Sequence, residues 1–216
     1  MYNLLLVDDH SVIRTGMKII IENFLPHCTI DEANDGDSSF EKIKENNYDI
    51  VILDVNMPNT DSFGLVSNIL ALKPEIKILM FSMNDEEVYA KRYLKMGVMG
   101  YIKKDEDQDE IKKAITAVLN NKKYISPKLN QIMIEDLYSN NNSENPFDNL
   151  SPREFEIVQH LLRGEALSDI CNKLTLHPST VGTHKARIYK KLKCNNLIDI
   201  NTLAKVYNII ISNIII

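Results

Sequence analysis

The sequence predicts a doubly wound α/β domain on a five-stranded parallel sheet, followed by a small all-α domain of four helices. Three observations carry this. Five short β-branched runs alternate with five amphipathic stretches over about the first 120 residues. The strand runs are apolar almost throughout, as they must be when helices cover both sheet faces. Beyond Leu150 only helical periodicity remains.

The strand runs are Asn3–Val7, Thr29–Ala33, Ile50–Leu53, Ile76–Phe81 and Gly100–Ile102. The stretches that follow them, Val12–Leu25, Asp37–Glu45, Phe63–Leu72, Glu86–Met96 and Asp109–Asn120, repeat their apolar residues with the 3.6-residue period of a half-buried helix. Strands joined through helices pair in parallel. After Ser126-Pro127 a short helix is predicted to about Tyr138, and Ser139–Asn145, with no apolar residue and several turn formers, reads as a linker. Ser151-Pro152-Arg153-Glu154 then joins a capping box to a proline at the first helical position, a specific helix start. That helix is predicted to stop at Gly164. A second covers Ser168–Leu174 and turns through Thr175-Leu176-His177, a third runs from Pro178 to Leu192, and a fourth covers Ile198–Ile211.

Charge divides along the chain. The net charge is −5, but residues 147–216 hold nine Lys and Arg against six Asp and Glu, while residues 1–146 hold 16 against 24. An acidic first part and a basic second part imply different partners for each. Cys28, Cys171 and Cys194 are far apart and odd in number, which gives no disulfide framework or zinc cluster and fits a reducing cytoplasm. Met1 leads into a strand rather than an export signal, and the apolar tail Ile209–Ile216 is too short to span a bilayer, so no membrane role is expected. No Walker loop, Gly-rich dinucleotide turn or HExxH motif is present.

In an open parallel sheet, ligands bind beyond the carboxyl ends of the strands, where strand order reverses. Four of the five predicted strands lead into polar residues there: Asp8 and Asp9, Asp54, Ser82, and Lys103 with Lys104. Any one such carboxylate is more often a solvated strand end or a helix N-cap. The set on successive strand ends is what points to a site. Three converging carboxylates repel unless a cation joins them, and hard oxygen ligands favour Mg²⁺. A nearby lysine would bind phosphate oxygens, so the site can position a phosphoryl group for in-line attack by a carboxylate. Strand-end placement alone leaves Asp9 and Asp54 as equal candidates for the nucleophile.

These residues resemble the receiver domain of two-component response regulators, a flavodoxin-like phospho-acceptor module. The resemblance spans residues 1 to about 120 and rests on Val7-Asp8-Asp9-His10 with Arg14, Leu53-Asp54-Val55-Asn56-Met57-Pro58, Phe81-Ser82-Met83 and Gly100-Tyr101-Ile102-Lys103-Lys104-Asp105. It implies that Asp54 is the phospho-acceptor and that Asp8, Asp9, Asp54 and the backbone carbonyl of Asn56 hold Mg²⁺, Asp8 through water. It also implies that Ser82 and Lys104 contact the phosphoryl group and that Tyr101 is a switch aromatic, turning inward once Ser82 is recruited. Ser62, in place of the usual glycine, reshapes the loop after Asp54, and Asp105 stands where many receivers have proline.

The third C-terminal helix has two faces. Val181, His184, Ile188 and Leu192 form an inward stripe; Thr183, Ala186 and Lys190, flanked by Gly182, Arg187 and Lys193, lie opposite. From Pro178 to Lys193 there are five Lys and Arg and no acid. A short helix, a tight turn and a basic helix place the second helix in the major groove of duplex DNA, although a basic helix in a small bundle is also commonly just solvated.

Residues 149 to about 208 resemble the helix-turn-helix of the NarL/LuxR (NarL/FixJ) family through Leu150-Ser151-Pro152-Arg153-Glu154, Gly164, Ile170, Leu174, Thr180-Val181, His184, Ile188 and Lys191-Leu192. The resemblance implies that Gly182, Thr183 and Ala186 face the groove, with Thr180 also among the DNA-binding residues; Lys185, Arg187, Lys190 and Lys191 are expected to meet phosphates. Gly182 departs from a position often basic in the family, His177 replaces the usual N-capping Ser, and Leu197 replaces a frequent Arg. Together the resemblances imply a cytoplasmic response regulator and transcription factor, not an enzyme. Its expected domains are a receiver at 1–122, a linker with a short helix at 123–148 and a DNA-binding domain at 149–216. The expected partners are a sensor histidine kinase, double-stranded DNA and a second copy in a homodimer. Two other readings are a DNA-binding regulator whose receiver serves only for dimerisation, and a phosphohydrolase. Against the latter, Asn56 stands where such enzymes commonly carry a second acid.

Overall fold

The computed structural model describes all residues except 59, 84, 85, 139–144, 175, 208 and 210–216, and only the backbone of 87, 88, 135–138 and 152. Most of the predicted linker, Thr175 of the predicted turn and all but Ile209 of the apolar tail therefore lie outside the described residues. The chain forms two compact units, Met1–Asp136 and Leu137–Ile216.

In the first unit, β1 (Tyr2–Val7), β2 (Cys28–Ala33), β3 (Ile50–Asp54), β4 (Ile78–Ser82) and β5 (Gly100–Lys103) alternate with α1 (Ser11–Phe24), α2 (Gly36–Glu45), α3 (Ser62–Leu72), α4 (Glu86–Met96) and α5 (Gln108–Leu119). The strands form one parallel sheet in the order β2-β1-β3-β4-β5. Order reverses at β1, so the crevice beyond β1 and β3 is the place this topology provides for a ligand. β3 and β4 are buried along their whole length, as their unbroken apolar runs require, while β2 at the edge is mostly half-buried. Alternation along the strands divides the core. Leu4, Leu6 and Ile52 cluster with Met17 and Ile21 of α1 and Ile111, Ile115 and Val118 of α5.

Carboxylates set the helix starts. Asp35 accepts from Ser38 N–H, Asp61 from Gly64 N–H and Asp107 from Glu110 N–H, each satisfying a donor the helix leaves orphaned. α1 differs: its N-cap is His10, whose side chain makes no capping bond. The Ser62 hydroxyl donates to Val55 O and is buried, which closes the loop after β3 where glycine was expected.

The chain after α5 returns along the sheet edge. Tyr124 N–H donates to Met99 O at 2.8 Å and bridges Gly100 in parallel. A Cβ on Gly100 would lie 3.0 Å from Tyr124 Cβ, 3.2 Å from Tyr124 O and 2.9 Å from Leu79 Cδ1, so this strand passes only because residue 100 has no side chain. The helix that follows, α6 (Pro127–Tyr138), begins at the buried Ser126. The Ser126 hydroxyl donates to Glu86 Oε1 at 2.8 Å and accepts from Leu129 N–H at 3.0 Å. The start of α6 is thereby pinned to the first residue of α4.

In the second unit, a 3-10 turn at Pro146–Asn149, which the sequence reading did not anticipate, buries Phe147 completely. Then come α7 (Pro152–Leu162), α8 (Leu167–Lys173), α9 (Pro178–Leu192) and α10 (Leu197–Val206). The predicted capping box is formed: Glu154 N–H donates to Ser151 Oγ at 3.3 Å and Ser151 N–H to Glu154 Oε2 at 2.8 Å. Gly164, at a φ of 74°, supplies the left-handed turn that ends α7. The fourth helix is shorter than the predicted 198–211. It stops at Val206, and Tyr207 N–H bonds back to Leu203 O. Beside the α7 terminus, His160 Nδ1 lies 2.9 Å from Glu165 Oε2, which also pairs with Lys173 Nζ at 3.0 Å. Burial holds the His160 ring below its ordinary value of 6.5, and Glu165 only partly offsets this.

Gly100→Ala is expected to lower stability by about 1–3 kcal/mol through the forced shift of Tyr124. Gly182→Ala, where nothing lies within 4 Å of the added Cβ, should raise it by roughly 0.5–1 kcal/mol by restoring helix propensity; urea unfolding of both variants measures each. For His160, a depressed folded value means the unfolded chain binds more protons. Stability is therefore lost as pH falls through 6.5. His160→Gln should flatten the loss of unfolding midpoint between pH 7 and about 5, relative to the parent chain.

Candidate functional site

The strand ends bring the predicted acids together. Asp8 follows β1, Asp54 ends β3, and these two carboxylates are 4% and 2% exposed as residues. Lys104, just past β5, reaches across: its Nζ lies 2.6 Å from Asp8 Oδ2 and 2.9 Å from Asp54 Oδ2. The backbone fixes that lysine, since Lys104 N–H donates to Ser82 O at 2.9 Å. Asn56 N–H donates to Asp54 Oδ1 at 3.1 Å. Ser82, at the end of β4, is fully buried. Burial pushes the Asp54 carboxyl above its ordinary value of 3.8, with Asp8 adding to the rise and Lys104 and the Asn56 N–H pulling against it. Two carboxyl groups this close and this dry call for positive charge beside them, and Lys104 is the one described ammonium in contact with both.

The donor set fits a divalent cation. Asp8, Asp9, His10 and Asp54 each offer a ligand atom within 4.8 Å of the others. Asp8 Oδ2 and Asp9 Oδ1 are buried with no hydrogen bond; the lysine approach to Asp8 gives charge contact off the hydrogen-bonding direction. Asp9 Oδ1, buried and without a donor, is an atom that a bound cation would satisfy. His10 is the addition. Its Nδ1 lies 2.9 Å from Asp9 Oδ1 and 3.3 Å from Asp8 Oδ1, and the sequence reading, which counted only oxygen ligands, missed it. The Asp-Asp-His run ahead of α1 was the available signal. Arg14 was quoted without a role; its Nη1 donates to Asp8 O at 2.6 Å and its Nε to Glu32 Oε2 at 2.8 Å, so it clamps the turn that carries the acids.

Tyr101 is expected to swing inward, but it is already 1% exposed. Its ring sits 6.2 Å from Tyr93 of α4, which stacks on Phe63 of α3 at 4.4 Å and 7° between planes. The aromatic joins β5 to α4 and α3 in this state.

In the second unit, Val181, Ile188 and Leu192 of α9 are buried, as the helical stripe predicts. His184 is half-buried, its Nδ1 without a hydrogen bond, and burial lowers the ring below its ordinary value. Thr180, Gly182, Thr183, Ala186, Arg187 and Lys190 are exposed along the same helix. Lys185 is half-exposed, with its ammonium 5.7 Å over the Tyr189 ring. Lys191 is differently engaged: its Nζ lies 2.7 Å from the buried Glu154 Oε2, tying α9 to the start of α7. Burial pushes Glu154 up, yet Lys191 and the Ser151 N–H outweigh it and leave the carboxyl below its ordinary value. The unusual N-cap also works. His177 Nδ1 accepts from Ser179 N–H at 3.4 Å and lies 2.8 Å from the Ser179 hydroxyl.

Among the described residues, no helix is long and apolar enough to cross a membrane. Two domain profiles match the chain: the response regulator receiver domain over residues 4–116, and bacterial regulatory proteins of the luxR family over residues 148–204. The response regulator GacA of Pseudomonas viridiflava is 30% identical over 204 residues, 94% of this chain and 95% of that protein. The response regulator UvrY of Escherichia coli (strain K12) is 28% identical over 204 residues, 94% of each chain. RcsB from Salmonella enterica serovar Typhimurium, solved bound to promoter rprA with the phosphomimetic BeF3-, shares the fold with a TM-score of 0.68 at 20% identity, over 95% of this chain and 99% of that one. With the acidic pocket at the switch point of a five-stranded parallel sheet and a basic helix in a separate helical unit, the chain belongs to the response regulators of the NarL/FixJ family, a receiver followed by a LuxR-type helix-turn-helix DNA-binding domain.

Proposed function

We propose that Asp54 accepts a phosphoryl group from the phosphohistidine of a partner sensor kinase in the cytoplasm, and that this promotes a homodimer and its binding to duplex DNA. The domains in this reading are a receiver at 1–122, a linker at 123–148 and a DNA-binding domain at 149–216. The Asp8–Lys104–Asp54 arrangement carries it: a buried nucleophilic carboxylate, one ammonium in contact, and an acid pair with open lone pairs beside it. An Asp54 oxygen attacks phosphorus, the P–N bond to the donor imidazole breaks, and its electron pair leaves with that ring. Asp8, Asp9, Asp54 and the Asn56 carbonyl would hold Mg²⁺, which supplies positive charge to the phosphoryl oxygens when bound. Lys104 already stands where a second counter-charge is needed. Phosphorylation adds about −1.5 to −2 charges, which this pocket tolerates only with both cations in place.

Ser82 is the hydroxyl we assign to the new phosphoryl group. Because Tyr101 is already inside, the readout is a change in the Phe63–Tyr93–Tyr101 packing that carries α4, and with it the α6 start pinned at Glu86. Moving such a two-state equilibrium from 1:99 to 99:1 takes about 5.5 kcal/mol of preference for the phosphorylated form.

On α9, the exposed small residues Gly182, Thr183 and Ala186 read DNA by shape and by apolar contact with thymine methyls. The Thr183 hydroxyl is already donated to Ser179 O at 2.9 Å, which leaves the methyl as its apolar end. Lys185, Arg187, Lys190 and Lys191 supply phosphate contacts, Lys191 with its charge shared with Glu154. The complex of RcsB with promoter DNA and BeF3- is the arrangement this proposal transfers to the present chain.

Treatment with acetyl phosphate is expected to add one phosphoryl mass to the parent chain and none to Asp54→Ala. Sedimentation with and without beryllofluoride should show a rise in mass and a parallel rise in DNA affinity. An unphosphorylated chain that dimerises and binds DNA equally well would favour the receiver as a dimerisation module instead. Asp54→Asn should raise the thermal midpoint in metal-free buffer by a few degrees, because it removes an ion held ionised at a cost, and should shrink the rise that Mg²⁺ brings. Lys104→Ala, which strands two buried carboxylates, should cost about 3–5 kcal/mol without metal and recover part of it with Mg²⁺. Arg187→Ala or Lys190→Ala should each reduce the salt slope of DNA affinity by about 1, whatever the DNA sequence. Thr183→Ala with Ala186→Lys should instead change the footprinted sequence preference.

A further inference from the structure

We propose that His10 is a nitrogen ligand of the cation site and gives it a preference for a divalent transition ion of the Ni²⁺, Co²⁺ or Zn²⁺ class over Mg²⁺. The inference rests on the reading that Asp8, Asp9 and Asp54 hold a divalent cation.

The geometry is that of ligands around a shared ion. His10 Nδ1 lies 2.9 Å from Asp9 Oδ1, yet Asp9 Oδ1 has no hydrogen bond, so the two atoms approach without a proton aligned between them. Nδ1 also lies 3.3 Å from Asp8 Oδ1. Around an ion with ligand distances of about 2.1 Å, neighbouring ligand atoms at right angles stand about 3.0 Å apart and opposite ones about 4.2 Å. The four residues offer their atoms within 4.8 Å of one another, a spread that a small side-chain adjustment would draw in to such a shell.

The rest of the turn holds the ring at this place. His10 occupies the N-cap of α1 but its side chain makes no capping bond, so the imidazole is not committed to the helix. Its backbone N–H donates to Asp8 Oδ1 at 2.8 Å, and Arg14 clamps Asp8 O from the next turn. The side chain is 65% exposed, which leaves an entry path for the ion and makes the residue replaceable without disturbing the core.

The chemistry follows from the donor. Three carboxylates alone suit a hard ion such as Mg²⁺, which keeps oxygen ligands and several waters. One imidazole adds a borderline donor, and affinity then climbs along the first transition row from Mn²⁺ toward Cu²⁺, with Zn²⁺ also favoured over Mg²⁺. A transition ion seated through His10 competes for the position the proposed phosphotransfer needs.

The test is calorimetric titration of the full chain with NiCl2 and with MgCl2, for the parent, His10→Ala and Asp9→Asn, together with Cu²⁺ paramagnetic resonance to detect nitrogen coupling. His10→Ala should weaken Ni²⁺ binding roughly tenfold or more while changing Mg²⁺ affinity less than about threefold, and should remove one nitrogen from the Cu²⁺ signal. A His10→Ala chain that binds Ni²⁺ as the parent does, or loses Ni²⁺ and Mg²⁺ affinity alike, overturns the role of His10 and leaves the oxygen site standing. Binding of neither ion, or binding indifferent to Asp9→Asn, overturns the cation site itself.

Discussion

The receiver is organised around an electrostatic conflict. Asp8 and Asp54 are brought to adjacent strand ends by a sheet whose order reverses at β1, and both are almost completely removed from water. Lys104 spans the gap between them. The elements around the pocket hold this arrangement. Arg14 anchors the backbone of Asp8, the Ser62 hydroxyl closes the loop behind Asp54, and the Ser82 carbonyl fixes the lysine. A site stabilised by one ammonium between two acids is sensitive to any further charge, positive or negative. That sensitivity is the physical basis on which a phosphoryl group can act as a signal.

Much of this was legible in the sequence because the governing patterns are local. Largely apolar runs located the parallel strands, and the polar residues after four of the five located the pocket. What sequence could not supply was contact between residues distant along the chain. Lys104 after β5 and Asp8 after β1 are 96 positions apart, and only the fold puts them 2.6 Å from each other. Tyr101 shows a different limit: its identity as an aromatic at that position is readable, but its burial beside Tyr93, which in turn stacks on Phe63, depends on other elements. His10 was overlooked because only oxygen ligands were counted, and its approach to Asp8 and Asp9 is a matter of side-chain placement.

The DNA-binding unit repeats the lesson at smaller scale. The capping box at Ser151 and the inward stripe on α9 follow from spacing alone. The second task of Glu154 does not: the same carboxylate that closes the box also receives Lys191 from α9, 37 positions away. A lysine expected to meet phosphate is thus also part of the scaffold. The 3-10 turn that buries Phe147 was hidden because its four residues are too few to show a period.

The pinned start of α6 has a mechanical meaning. Ser126 gives its proton to Glu86 on α4 and receives one from the first turn of α6, and the backbone just ahead is stitched to β5 through Tyr124 and Met99. A chain fastened at two points this close together behaves as a crank and not as a string. The start of α6 therefore cannot shift away from α4 without giving up the bonds of one hydroxyl, and it keeps its place on the first unit through a side chain no larger than serine.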